Sequence, residues 1–154
     1  MKFDLIDRIV ELTRGERIVA VKAVSLAEEY LADHFPTFPV LPGVLMLQAM
    51  AEAASWLVRD AHDFRKPVVL LRNVRNATYK SFVKPGSLVV FSVTCRRLSA
   101  DTSDFDGLGC RSEDQQEVVR AKFGLTHFAV ADGDGSMDDE LAEAARAHFA
   151  RLRS

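Results

Sequence analysis

Residues 43–59 run Gly-Val-Leu-Met-Leu-Gln-Ala-Met-Ala-Glu-Ala-Ala-Ser-Trp-Leu-Val-Arg, and polar side chains break the apolar texture only at Gln48, Glu52, Ser55 and Arg59. Those positions are spaced 4, 3 and 4 apart, so they form one narrow stripe on an otherwise apolar cylinder. The pattern predicts a long helix wrapped on most sides, with Pro42 at its first position. Short β-branched runs predict strands over residues 16–26, 68–71, 88–98 and 118–130; in the last, Val119, Ala121, Phe123 and Leu125 alternate with Arg120, Lys122 and Gly124. Arg14-Gly15 and Pro85-Gly86 read as turns. Residues 99–117, with Asp101, Asp104, Asp106, Gly107 and Gly109, read as a long or distorted hairpin. Ser136-Met137-Asp138-Asp139 is a capping-box-like start for a helix over 140–153, in which Leu141, Ala145, His148, Phe149 and Leu152 share a face. The resulting expectation is one α+β domain over 1–154: a long helix, a mostly antiparallel sheet, and a linker with an appended helix over 131–154.

Charge and cysteine content narrow the possibilities. Twenty Lys and Arg against twenty-two Asp and Glu give a net charge of −2, which argues against a chain that grips nucleic acid with its whole surface. The balance is uneven, however: residues 65–97 carry Arg65, Lys66, Arg72, Arg75, Lys80, Lys84, Arg96 and Arg97 with no acid, a candidate docking face for an acidic partner. Cys95 and Cys110 form neither a C-x-x-C pair nor a four-ligand set, so no metal site and no cofactor are expected. The acidic run from Asp132 to Asp138, with Glu143, resembles a calcium loop only superficially, because Met137 takes the place that requires glycine. Asp4 and Asp7 interrupt any signal-like core and no apolar run approaches the ~20 residues of a membrane span. The expectation is a soluble, cytoplasmic protein.

Chemistry concentrates in one loop. His34-Phe35-Pro36-Thr37-Phe38-Pro39-Val40-Leu41-Pro42-Gly43-Val44-Leu45 holds three of the five prolines, whose locked φ angles stiffen the segment. An imidazole on a rigid loop can act as a base near neutrality. The helix opening at Gly43 offers unpaired backbone N–H groups that can polarise a carbonyl oxygen. Proton abstraction beside a carbonyl needs those two parts together.

This segment resembles the signature of the 3-hydroxyacyl-acyl carrier protein dehydratases, whose hot-dog fold wraps a long helix in an antiparallel sheet. The likeness extends to Phe3-Asp4-Leu5-Ile6-Asp7-Arg8-Ile9, to Arg17 through Val24, and to Phe82-Val83-Lys84-Pro85-Gly86, covering about residues 3–128. It implies elimination of water from a 3-hydroxyacyl thioester carried on acyl carrier protein or CoA, with His34 as base. It also implies that Gly43 holds the thioester carbonyl, and that Phe35, Pro42 and Val44 border the substrate. A homodimer or higher homo-oligomer is implied too, with each site built from the His loop of one chain and the helix of another.

The sequence departs from that family at the acid. The resemblance places an Asp or Glu fourteen residues after the base, and this chain has Gln48 there. An amide orients a hydroxyl but has no acidic proton to give, a loss that typically costs ~10²–10⁴ in rate. Glu52 lies one turn further along the same stripe and is the candidate replacement. Asp33, in place of the usual glycine, is a second departure. Two further readings follow: a catalytically impaired hot-dog subunit that binds acyl carrier protein, and a hot-dog thioesterase.

Overall fold

The computed structural model describes residues 4–32, 34–35, 37–130 and 135–154. Six strands form one antiparallel sheet: β1 (Arg8–Thr13), β2 (Arg17–Ala23), β3 (Val68–Tyr79), β4 (Leu88–Leu98), β5 (Thr102–Arg111) and β6 (Glu117–Phe128). Their order across the sheet is β1-β2-β4-β5-β6-β3, so β3, formed directly after the long helix, closes one edge. Helix α1 (Gly43–Ala61) lies against the sheet, and α2 (Ser136–Arg153) follows β6. This is the expected α+β arrangement.

The stripe pattern of α1 explains its seat. Ala49, Met50, Ala53, Ala54, Leu57 and Val58 are fully buried, and three small alanines among them allow the helix to approach the strands closely. The sheet answers with small residues of its own. A Cβ on Gly107 of β5 would stand 2.6 Å from the Met50 sulfur, so any other residue there would force the Met50 side chain to move. Phe91, Phe105 and Phe123 fill the remaining space, the last two stacked at 5.6 Å.

Several expectations need correction. Residues 99–117 contain a ten-residue strand, β5, paired on both sides, with one shift of register against β6 between Gly109 and Cys110. Its inward positions are Ser103, Phe105, Gly107 and Gly109, so its alternation is hidden by small residues rather than absent. Strand β3 runs to Tyr79, well beyond residue 71, because an edge strand exposed on both faces need show no apolar period. β1 is likewise a bulged edge strand that the hydrophobic pattern does not announce. Pro42 sits just before α1, with Gly43 as its first residue. Within α2, Phe149 and Leu152 are buried while Leu141 is 40% exposed, so the expected single face divides in two.

The basic segment is largely neutralised on folding. Lys66 pairs with Asp101 at 3.3 Å, Arg72 and Arg75 with Asp104 at 3.3 and 3.6 Å, Arg96 with Asp106 at 2.7 Å, and Lys80 with Glu117. The acids that balance the charge in sequence also balance it in space. Lys84 is different: its ammonium lies 5.1 Å from the centre of the Phe38 ring, in the loop that carries His34.

Candidate active site

The 34–40 loop closes on itself through its own backbone. Val40 N–H donates to the His34 carbonyl at 3.0 Å, Phe38 N–H donates to the Phe35 carbonyl at 3.0 Å, and Leu41 N–H ties the exit to Val83 O at 2.8 Å. The His34 ring stacks on Phe35 at 4.3 Å. Its Nδ1 lies 3.1 Å from Val40 O. A carbonyl can only accept, so this contact places the proton of the neutral ring on Nδ1 and leaves Nε2 with a free lone pair. The loop thus selects the tautomer a base requires.

His34, Val40, Leu41, Gly43, Met46, Tyr79, Lys80, Ser81 and Phe82 line a cavity of about 220 Å³. Gly43 is the first residue of α1; Leu45 and Met46 N–H donate to Pro42 O at 3.0 and 3.3 Å, which leaves the N–H groups of Gly43 and Val44 without an intrahelical acceptor. Its missing side chain matters: a Cβ there would stand 2.9 Å from the Tyr79 ring. His34 and the open start of α1 therefore share one cavity. Phe35, Pro42 and Val44, expected to border the substrate, are not among the residues that line it; Val44 and Phe35 are 68% and 50% exposed. Tyr79 and Phe82 join the site from β3 and the segment after it, and no local feature of the sequence distinguishes them from other exposed aromatics.

Gln48 and Glu52 open elsewhere. They line a groove of about 590 Å³ between α1, the start of β3 and α2, together with Ser55, Trp56, Arg59, Leu71 and His148 among others. The polar stripe of α1 is the floor of this groove, and its members are linked. The Glu52 carboxylate accepts the Leu5 N–H at 2.7 Å, Ser55 Oγ donates to Glu52 O at 2.6 Å, and Arg59 donates to Ser55 Oγ at 2.8 Å and to Pro67 O at 3.2 Å. Burial raises the Glu52 pKa from 4.5 to about 7, the Leu5 amide opposing only in part. Glu52 therefore anchors the segment before β1 and also holds a proton part of the time at neutral pH.

Phe3, Asp33, Pro36 and residues 131–134, which include the start of the acidic run, lie outside the described residues. Among the described residues, no group of three or more His, Cys, Asp or Glu could hold a metal ion, and no helix is long and apolar enough to cross a membrane.

The profile of the FabA-like domain matches residues 1–122. The chain belongs to this family. Curated relatives include the 3-hydroxyacyl-acyl-carrier-protein dehydratases FabZ of Polaromonas sp., 38% identical over 107 residues covering 68% of this chain and 74% of the relative, and of Verminephrobacter eiseniae, 34% identical over 137 residues covering 87% and 90%. Among solved structures, the dehydratase heterocomplex ApeI:P of Xenorhabdus doucetiae superposes with a TM-score of 0.66 at 13% identity, over 81% of this chain and 83% of that one. The smu.793 protein of Streptococcus mutans, solved with acetyl CoA, gives 0.61 at 16% identity over 82% and 91%. At those identities the two structures establish the hot-dog fold. The FabA-like match ends before α2, which lies entirely beyond residue 122.

Proposed function

We propose that this chain eliminates water from 3-hydroxyacyl thioesters, as the names of its FabZ relatives describe for them. The observation that carries the reading is the cavity in which His34, with Nδ1 committed to Val40 O, faces the open start of α1 at Gly43. His34 Nε2 removes a proton from Cα. Negative charge moves to the thioester oxygen, where the Gly43 N–H and the positive end of the α1 dipole stabilise it. The Cα–Cβ double bond forms as the C3–O bond breaks, and the departing hydroxide takes a proton to leave as water. Gln48 orients that hydroxyl; Glu52, with a pKa near 7, supplies the proton directly or through a water. Proton return from His34 to Glu52 resets the site.

In one chain His34 and Gln48 open into different cavities. A site built from two copies joins them, with the His34 loop of one facing the Gln48 groove of the other. The edge of the sheet is suited to such pairing: β3 spans twelve residues, is hydrogen-bonded only to β6, and exposes Leu70, Leu71 and Val74. We therefore propose a homodimer, or an even-numbered higher oligomer, and an acyl group delivered on acyl carrier protein or CoA. Within residues 65–97, Lys84 and Arg97 make no ion pair among the described residues and are the basic side chains of that segment left to meet an acidic carrier.

Gln48 favours a second reading, an impaired subunit that binds acyl carrier protein without turning over. Mass analysis after incubation with 3-hydroxyacyl-acyl carrier protein separates the readings. Loss of water that disappears in His34→Ala supports the dehydratase. An unchanged acyl group supports the impaired subunit, and free acid supports hydrolysis.

A further inference from the structure

Arg59 occupies an unusual position for a guanidinium. It is largely buried, its Cζ sits 4.9 Å from the Trp56 ring centre, and it makes no ion pair among the described residues. Its hydrogen bonds go to neutral oxygens only, Ser55 Oγ and Pro67 O. Three of its five N–H groups are thereby engaged and two remain. Glu52 attracts it from two turns away on α1 without a hydrogen bond, and a buried cation compensated only at that distance is costly to keep.

Its place in the groove suggests the compensating group. Gln48, Glu52, Ser55 and Arg59 descend one face of α1, and at ~1.5 Å per residue the groove extends about 16 Å from Gln48 to Arg59. The acids lining it, Asp4 and Glu52, lie toward the Gln48 end, since Glu52 binds the Leu5 amide next to Asp4. Arg59 is the only Lys or Arg among its lining residues and lies at the other end. The roof comes from α2, through Leu141, Ala144, Ala145 and His148, and the Trp56 ring meets His148 edge-on at 5.0 Å. This roof lies outside the matched FabA-like region, so this chain itself supplies it.

We propose that the groove receives the distal end of the acyl chain and that Arg59 selects chains ending in a carboxylate over those ending in a methyl group. The inference rests on the dehydratase reading, in which the hydroxyl-bearing carbon lies at Gln48. From there the acyl chain runs along the apolar wall of Ala51, Trp56, Val69 and Leu71, and its terminal carboxylate meets the two unused N–H groups of Arg59.

The test is direct binding of non-cleavable 3-hydroxyacyl-pantetheine analogues, with methylene in place of sulfur, in medium-chain pairs that end in carboxylate or methyl. The protein is expected to bind the carboxylate-ended member at least ~10-fold more tightly. Arg59→Gln should bring the affinity of the carboxylate-ended member down to that of the methyl-ended one in the same variant, with retention of fold checked by thermal melting. Ala144→Trp, at an exposed position of the roof, should weaken both members together and serves if Arg59→Gln does not fold. Equal or weaker binding of the carboxylate-ended member, a preference that survives Arg59→Gln, or no binding of either member overturns the proposal. Dehydration of the methyl-ended thioester is measured separately: its absence with the binding preference intact removes the catalytic reading alone.

Discussion

Replacing Glu52 with glutamine tests the electrostatics of the α1 stripe most directly. Burial raises the carboxyl pKa from 4.5 to about 7, so the folded chain binds a proton more tightly here than the unfolded chain does. Stability from the neutral form is complete below pH 4.5 and is lost as pH rises toward 7. At ~1.4 kcal/mol per tenfold change in proton affinity, the buried charge costs about 3 kcal/mol above pH 7. The amide of the Glu52→Gln variant keeps an oxygen to accept the 2.7 Å bond from Leu5 and carries no charge. The variant should therefore match the wild type near pH 4.5 and exceed it by about 3 kcal/mol at pH 8, a rise of ~6–12 °C in Tm for a chain of this size. His127 acts in the opposite sense. Burial first, and then His62, depress its pKa, so its contribution is lost as pH falls below 6.5; being common to both proteins, it cancels in the difference. Urea titrations of both proteins from pH 4.5 to 8.5 give the result. A stability difference that stays flat with pH, or a variant weaker at pH 8, refutes the assignment of a buried, costly carboxylate.

Four other outcomes are expected. Glu52→Gln should lower dehydration of 3-hydroxyacyl-acyl carrier protein by ~10²-fold or more, read by mass, because the amide has no proton to give, and adding Gln48→Glu should restore it by returning a donor to the site. Gly43→Ala should lower kcat/KM by at least ~10-fold without unfolding the protein, since the new Cβ meets the Tyr79 ring at 2.9 Å and displaces either the ring or the amide. Leu71→Lys on the exposed edge of β3 should shift the protein toward monomer in sedimentation and lower activity in proportion. Glu28→Ala should destabilise by about 3 kcal/mol in denaturant unfolding, because Lys22 is 2% exposed and pairs with Glu28 at 3.0 Å; the double change Lys22→Met with Glu28→Leu should recover most of that loss.

Much of the architecture was readable where one face of an element is buried. The α1 stripe and the alternation of β6 each record a contrast between a packed face and an open one, and both elements appear close to the expected positions. The loop from His34 to the start of α1 is equally legible, because proline and glycine fix backbone geometry locally. What stayed hidden depends on distant parts of the chain. β5 conceals its inner face behind Gly107 and Gly109 because α1 presses on it, a fact that neither segment contains alone. The charge of residues 65–97 was counted correctly, but its neutralisation by Asp101, Asp104, Asp106 and Glu117 needed strand pairing to appear. Glu52 was recognisable as a neighbour of Gln48; its bond to Leu5 and the Arg59 end of its groove were not, since they join segments far apart in sequence.

The contact between Met50 and Gly107 has a mechanical consequence. α1 is a single rigid rod that carries Gly43 at one end and Gln48, Glu52 and Arg59 along its length, and its seat on the sheet is set where the sulfur meets the bare glycine backbone. Lifting the rod by an ångström at that seat moves the Gly43 amide and the entire polar stripe in concert. The tolerance of the chemistry is thus set from beneath the helix, by a residue that borders neither cavity.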